Sequence, residues 1–287
     1  MISQKVSQSF LLSLILFMGL LYYATLGNSL QELYLTLATL GLICFSLVLE
    51  RFCPLHREWN DGKNDISGDI GSFVLVFGVL DSGLKWLSPF IILALVPETT
   101  SALSWPLWVQ VIVATLMIEL GAWISHWAHH RYAPLWALHA MHHSTERLYT
   151  LNNFRFHPFN HILNYLITFL PPLAFGITPE AILGYVALSL PILLFQHSNI
   201  GFNFGLLNFV FNTNAVHRWH HSTVQKEGMS NFGRALVIWD HVFGTFYHPS
   251  FQSEPSEIGL SSTNTTYPPA SRTIKQILWP FCKECCR

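Results

Sequence analysis

Apolar residues run along this chain in long unbroken stretches rather than in alternation, and six such stretches are separated by polar breaks. The first two, Phe10 to Leu26 and Leu33 to Leu49, flank a short Gly-Asn-Ser break. Each is close to the ~20 residues that cross a hydrocarbon core as a helix, and a helix is the open-chain way to satisfy backbone polar groups there. The two predict a transmembrane hairpin; the first run lacks the small-residue cleavage pattern of a signal peptide. Residues 51–70 are polar and predict a loop. Gly71 to Val96 is apolar except for Asp81 and Lys85, which stand four apart and can pair on one helical face. That stretch either crosses the bilayer or dips into it as two half-helices. Trp105 to Trp127 runs directly into histidines, and Ile162 to Phe175 with Ala181 to Phe195 predict a second hairpin whose arms are short for a full crossing. From Ser250 onward the chain is rich in Ser, Thr and Pro and predicts a loosely ordered tail, with a weak amphipathic stretch around Ile274 to Trp279.

The expected architecture is all-α, a polytopic membrane protein of two or more transmembrane hairpins with a histidine-rich, metal-binding helical cap. Three regions are expected: an N-terminal transmembrane hairpin over 1–50, a histidine-bearing unit over 51–249 and the tail over 250–287. Composition agrees with a membrane location, because 51% of residues are hydrophobic and 11% charged, against roughly 25% charged in soluble domains. With 15 Lys+Arg against 16 Asp+Glu there is no basic excess to hold a nucleic-acid backbone, so nucleic acid is not expected as a partner. The five cysteines imply no disulfide framework, and Cys282, Cys285 and Cys286 are read as reduced or lipidated thiols. Arg51, Arg57, Lys63, Arg131, Arg147, Arg155, Arg218, Lys226 and Arg234 all fall in connections on one face, whereas the opposite turns at 27–32, 98–105 and 172–179 hold no Lys or Arg. The positive-inside rule makes the charged face cytoplasmic, and every histidine cluster lies on it.

The histidines carry the chemistry. They form three clusters: His126-Trp-Ala-His129-His130, His139-Ala-Met-His142-His143 and His217-Arg-Trp-His220-His221. Residues three and four apart share a helical face, so each cluster can aim two or three imidazoles at one point. Eight ring nitrogens suit two metal ions at roughly four ligands each, and imidazole serves Zn, Cu, Fe or Ni. Histidines gathered as interfacial anchors are the plain alternative for a single pair and fit three clusters at ligand spacing poorly.

This order of boxes within hydrophobic helices resembles the fatty acid hydroxylase/sterol desaturase superfamily of integral-membrane di-iron enzymes, over roughly Leu49 to Pro249. Further elements carry the likeness: Glu119 seven residues before His126, Arg155-Phe-His157-Pro158, His197-Ser-Asn199, Asn231-Phe-Gly233, and Trp239-Asp240 with Phe243-Gly-Thr-Phe246. Asn160 and Asn214 depart from the usual pattern, which has Glu and Pro there. The resemblance implies that residues 51–249 are a catalytic domain and that His126, His130, His139, His142, His143, His217, His220 and His221 are ligands of two iron ions, with zinc as a possible substitute in purified protein. His197, returning to the same face after the second hairpin, is a candidate ninth ligand. His129 lies about 60° off the line of His126 and His130 and is expected behind the ligands or at the substrate, as are Arg155, His157, Asn199 and Asn231. Glu119, a carboxylate in an apolar helix, is a functional candidate by default. It is expected to accept an N–H from a ligand histidine or to relay protons, with a helix-to-helix hydrogen bond as the alternative. Asp240 is grouped with it as catalytic, orienting a ligand imidazole from behind. Trp123, Trp127, Phe154 and Phe156 either line an apolar channel or belong to an interfacial belt.

What the resemblance implies in function is O2-dependent hydroxylation or desaturation of a membrane lipid, with two electrons delivered from outside. The chain has no glycine motif for flavin or nicotinamide and no fused haem domain, so a separate reductase, ferredoxin or cytochrome is expected. Hydroxylation is favoured because the boxes look like those of short bacterial-type and ether-lipid-hydroxylase-like members. Two other classes are a histidine-rich metal transporter and a catalytically silent lipid-binding relative. The first would place its ligands within the bilayer in repeated halves, which is not the pattern here, and the second would have lost a ligand.

Overall fold

The computed structural model describes residues 2–95, 104–249, 254–261 and 266–282. It is helical, with no strand among the described residues beyond three isolated bridges. α1 (Gln4–Ala24) and α2 (Gln31–Phe52) are joined by a tight turn in which Gly27 takes φ 74°, a left-handed conformation that glycine adopts without a Cβ penalty. α3 (Ile66–Ser72), a π-helical stretch at Phe73–Leu80 and α4 (Asp81–Leu95) follow without a break. Ile66–Ala94 is therefore one 29-residue helix long and apolar enough to cross a bilayer, rather than two half-helices. Lys85 and Asp81 pair on it at 2.8 Å.

The helix begins inside the region expected to be a loop, and the reason is tertiary. Asp65 is bonded by both arms of Arg147 at 2.7 and 2.9 Å, and Asp69 is held by Arg155 and by the Tyr149 hydroxyl. Polar residues that look loop-like in isolation are thus paired and buried by distant partners.

α5 (Leu107–Arg131) is about 37 Å long at 1.5 Å per residue and is the central helix. A Cβ at Gly121 would come within 2.6 Å of the Ile167 carbonyl on α7 (Pro158–Ala174), so a glycine lets the two backbones touch. α8 (Pro179–Phe195) packs between α1 and α5. α6 (Ala133–His143) follows α5 almost directly and turns back over the end of the bundle. One apolar core joins Leu11 and Met18 of α1 to Leu42, Leu194, Phe195 and Phe202; a second joins Ala114 and Ile118 to Ala181 and Tyr185. On the outside Leu16, Phe52, Trp86 and Trp108 are exposed. Helices this apolar on both inner and outer faces suit lipid rather than water, and four of them, α1, α2, Ile66–Ala94 and α5, are long enough to span. The chain has the build of a multi-pass membrane protein.

A polar cap closes one end of the bundle. It contains α6, the 150–160 connection, α9 (Asn214–His220), α10 (Gln225–Gly228) and α11 (Ile238–Phe243). The Glu50 carboxylate at the end of α2 accepts from the Thr150 amide and hydroxyl and from the Asn199 amide at 2.8–2.9 Å, tying cap to span. The C-terminal segment with α12 (Thr273–Leu278) is docked rather than loose. Arg155 donates to the Ala270 carbonyl at 2.6 Å and to Gln276 at 2.7 Å, while His157 donates to the Ile277 carbonyl at 2.9 Å. This segment is fixed in part through its backbone carbonyls, which composition does not reveal. Cys285 and Cys286 lie outside the described residues.

Candidate metal centre

The nine histidines proposed from the sequence as ligands are the nine that the fold brings together, in two groups. His126, His130, His139, His143 and His220 form one; His142, His197, His217 and His221 form the other, and within each group the donor nitrogens lie within 4.8 Å of one another. Helical pitch explains the division. In α6 His139 and His143 are one turn apart and face the first group, while His142, about 100° away around the axis, faces the second. Around α9 the pattern is mirrored: His217 and His221 enter the second group and His220 the first. α5 supplies His126 and His130, and the turn after α8 supplies His197. The two groups abut, with the rings of His143 and His221 stacked at 4.4 Å.

Outer hydrogen bonds set the tautomers. The Nδ1 of His126 points at the Phe232 carbonyl at 3.0 Å, that of His142 at the Arg155 carbonyl at 3.2 Å and that of His220 at the Ser230 carbonyl at 2.7 Å. Those of His139 and His197 point at the side-chain oxygens of Asn160 and Asn152 at 2.8 and 3.1 Å. An oxygen of this kind only accepts, so each Nδ1 carries the hydrogen and each Nε2 presents a lone pair. Within the groups the Nε2 atoms stand close together: separations are 3.1 Å for His130 and His143, 3.2 Å for His139 and His143, 3.0 Å for His197 and His217, and 3.1 Å for His217 and His221. The Nε2 atoms of His126 and His220 are buried without any hydrogen-bond partner. Nitrogens about 2.1 Å from a shared cation stand roughly 3.0–3.4 Å apart between octahedral and tetrahedral corners. The donor set therefore fits a metal ion in each group.

The residues expected behind the ligands divide by what they touch. His129 stands outside both groups; its Nδ1 donates to the Ser125 carbonyl and its Nε2 accepts from Asn160. Asn160 thus bridges His129 to His139, and a carboxylate at 160 could not donate to His129 in this way, so the departure from the family pattern is matched by a partner. Arg155 orients His142 through its carbonyl and anchors Asp69 and the C-terminal segment through its guanidinium. His157, Asn199 and Asn231 reach no imidazole of either group. His157 holds Ile277, Asn199 fixes the backbone of His56, and Asn231 ties the Val216 carbonyl of α9 to Tyr247. Asn214, the second departure, donates to the carbonyls of Ser198 and Ile200 and so fixes the turn bearing His197.

For Glu119 the helix-to-helix hydrogen bond is the alternative that holds, and for Asp240 the expected contact with a ligand imidazole is corrected. Glu119 accepts no imidazole N–H. Two turns before His126 place it ~10 Å along the helix axis from the ligands, where it accepts from the Tyr185 hydroxyl at 2.7 Å and the amides of Ala235 and Leu236 at 3.1 Å. Arg234 completes the set by donating to the Tyr185 hydroxyl. Asp240 likewise touches no histidine: its carboxylate is filled by the amides of Phe232 and Gly233, the Trp123 indole and the Thr245 hydroxyl. Both carboxylates brace the 231–236 loop whose Phe232 carbonyl holds His126. Gly233 is required here, because a Cβ would come within 2.8 Å of the Asp240 carboxylate. Asn152 was not singled out in the sequence; nothing local marks it, since its partner His197 is 45 positions away.

Of the four aromatic residues near the boxes, Phe156 lies flat on His142, with centroids 4.5 Å apart. Phe154 is buried against Phe73 and Phe77, Trp123 serves Asp240, and Trp127 meets Tyr132 edge-on.

Residues 111–245, which contain all nine of these histidines, match the family model described as Fatty acid hydroxylase. That stretch is similar to fatty acid hydroxylase domains. Over 271 residues it is 28% identical to the ornithine lipid hydroxylase OlsE of Rhizobium tropici, covering 91% of this chain and 80% of that protein. The chain is also 30% identical over 156 residues to the alkylglycerol monooxygenase of Homo sapiens and 28% identical over 166 residues to that of Xenopus tropicalis. Those matches cover 54% and 57% of this chain but only 34% and 36% of the monooxygenases. No solved structure matches the chain significantly.

Burial pushes the imidazoles of the cap well below their usual pKa, with neighbouring imidazoles adding to the effect in His139, His143, His197, His217 and His221, and brings His142 down to about 3. In the unfolded chain the same rings take up protons near pH 6.5. Between pH 6.5 and the depressed folded values the unfolded state therefore binds more protons, and stability falls as pH falls. Metal-stripped protein in detergent is expected to lose melting temperature steeply from pH 7 to pH 5, and metal loading should move that loss to lower pH. A melting temperature flat across that interval would contradict a closed, neutral cluster.

Proposed function

We propose that this chain is a membrane-embedded lipid hydroxylase, an oxidoreductase that uses O2 on a C–H bond of a polar-headed membrane lipid. The observation that carries the reading is the pair of histidine groups, of five and four rings, whose Nε2 atoms converge while five of the Nδ1 hydrogens are held from outside. The relatives act, by name, on an ornithine lipid and on alkylglycerol, which supports a lipid carrying a polar head and favours hydroxylation over desaturation. One iron ion per group would supply activation of O2 at the membrane face. One oxygen atom enters the C–H bond and the other leaves as water, with two electrons and two protons supplied through a separate reductase, ferredoxin or cytochrome.

The work assigned to the chain itself is positional. Nδ1 partners keep five of the nine rings aimed, Phe156 covers His142, and burial keeps bulk water from the cluster. The Lys and Arg residues of the cap and of the connections on its side support a cytoplasmic site.

The test is metal analysis of purified protein followed by O2 uptake with a chemical reductant and membrane lipid extract. Two iron equivalents per chain and a lipid product containing an oxygen atom from labelled O2 are expected. Metal flux into sealed vesicles without lipid oxidation would favour a transporter, and lipid binding without O2 uptake would favour a silent relative.

A further inference from the structure

A cavity of about 560 Å³ lies beside the histidine cluster, between the 67–76 helical stretch and the C-terminal segment. Gly71 and Leu75 line one wall, Ile274 and Ile277 the other, and Met141 and Phe156 line it on the side of the cluster. Phe156 lines the cavity on this side and is stacked on His142 of the second group. The volume is that of a pocket for a sizeable organic ligand, and its lining is mostly apolar. Arg272 and Lys275 also line it, no carboxylate does, and neither cation has an ion-pair partner among the described residues.

The wall bearing these cations is fixed. A Cβ at Gly68 would overlap the Thr273 hydroxyl, so glycine allows the C-terminal segment to approach, and Arg155 and His157 bond its carbonyls. Leu278 and Phe281, which are outside the cavity lining, remain exposed, as in a helix lying at a membrane surface with apolar residues toward lipid.

We propose that this cavity receives the hydrocarbon chain of the lipid substrate and that Arg272 and Lys275 hold an anionic headgroup at its mouth. The proposal rests on the lipid hydroxylase reading and adds to it a place of binding and a preference in headgroup charge. Apolar walls suit the chain, the uncompensated cations suit a phosphate or carboxylate head, and Phe156 places the cavity beside His142.

The experiment uses the full chain, metal-loaded, in vesicles of phosphatidylcholine containing phosphatidylglycerol with a photoreactive diazirine in its acyl chain. Cross-linked peptides should contain residues 71–76 or 271–277. A Cβ at Gly71 meets nothing within 4 Å, so Gly71→Phe projects into the cavity without a clash at its root, and it replaces glycine with a better helix former. Gly78, equally uncrowded, is outside the lining, so Gly78→Phe is the control.

Labelling is expected to fall about tenfold, equivalent to a tenfold weaker Kd, in Gly71→Phe, with metal content unchanged and Gly78→Phe labelled like the parent. Arg272→Glu with Lys275→Glu should lower labelling by the anionic probe about tenfold while a phosphatidylcholine probe is unaffected. Equal labelling of Gly71→Phe and parent, or cross-links mapping elsewhere, would overturn the cavity assignment. Equal loss with both probes would overturn the headgroup assignment. A parent protein that labels here but oxidises no lipid would sink the hydroxylase reading and leave the cavity standing; one that oxidises lipid without labelling here would do the reverse.

Discussion

Replacing His217 with Ala is expected to leave about one metal ion per chain in place of two and to lower lipid oxidation at least about a thousandfold, some 4 kcal/mol of barrier. His217 lies 3.0 Å from His197 and 3.1 Å from His221 through Nε2, so its loss reduces a group of four rings to three and opens one side of it. The first group has five rings, and His130→Ala would leave four. The variant in the smaller group should therefore lose metal more completely than the variant in the larger one. Metal per chain, measured by mass spectrometry on the purified variants alongside O2 uptake, checks both statements. Two ions retained in His217→Ala would show that the second group does not hold an ion of its own.

Glu119→Ala is expected to cost about 3–5 kcal/mol of stability, the range for removing one partner from a buried charged network. The Ala235 and Leu236 amides and the Tyr185 hydroxyl would lose their acceptor inside the bundle, and Arg234 would lose the carboxylate beyond Tyr185. Glu119→Gln keeps an acceptor but turns an NH2 group toward amide donors, so it should fall between parent and Ala. The measurement is the denaturation midpoint in detergent for the three proteins, with metal content on the same samples. Metal loss should follow stability, because the loop that Glu119 braces carries the Phe232 carbonyl that holds His126. Unchanged stability with abolished turnover would instead return Glu119 to proton transfer.

How much of this was readable from residues alone depended on the range of the interaction. Box histidines act through spacings of three and four on one helix, and helix geometry converts such spacings into a shared direction whatever the rest of the fold does. The same geometry placed His129 off the line of His126 and His130, and it stands outside both groups, joined to His139 only through Asn160. Glu119 and Asp240 were recognisable as unusual but not as loop braces, because their partners sit on a segment whose path is set by long-range packing. Glu119 meets Ala235 across 116 positions, and Asp240 meets Trp123 across 117. Backbone acceptors such as the carbonyls of Arg155, Ser230 and Phe232 are beyond side-chain pattern reading altogether, since any residue type offers the same oxygen. The amphipathic stretch around Ile274 to Trp279 is legible in the sequence and contains most of α12, whereas its docking through carbonyls and through Gln276, which is fully buried, is not.

His142 and His143 are consecutive residues, yet they belong to different groups, and so do His220 and His221. The separation between two bound cations would thus be spanned twice by a single peptide unit, the least extensible link a protein possesses. Thickening of the bilayer, tilting of the spans or movement of the substrate wall could shift the centre as a whole without stretching the distance across it.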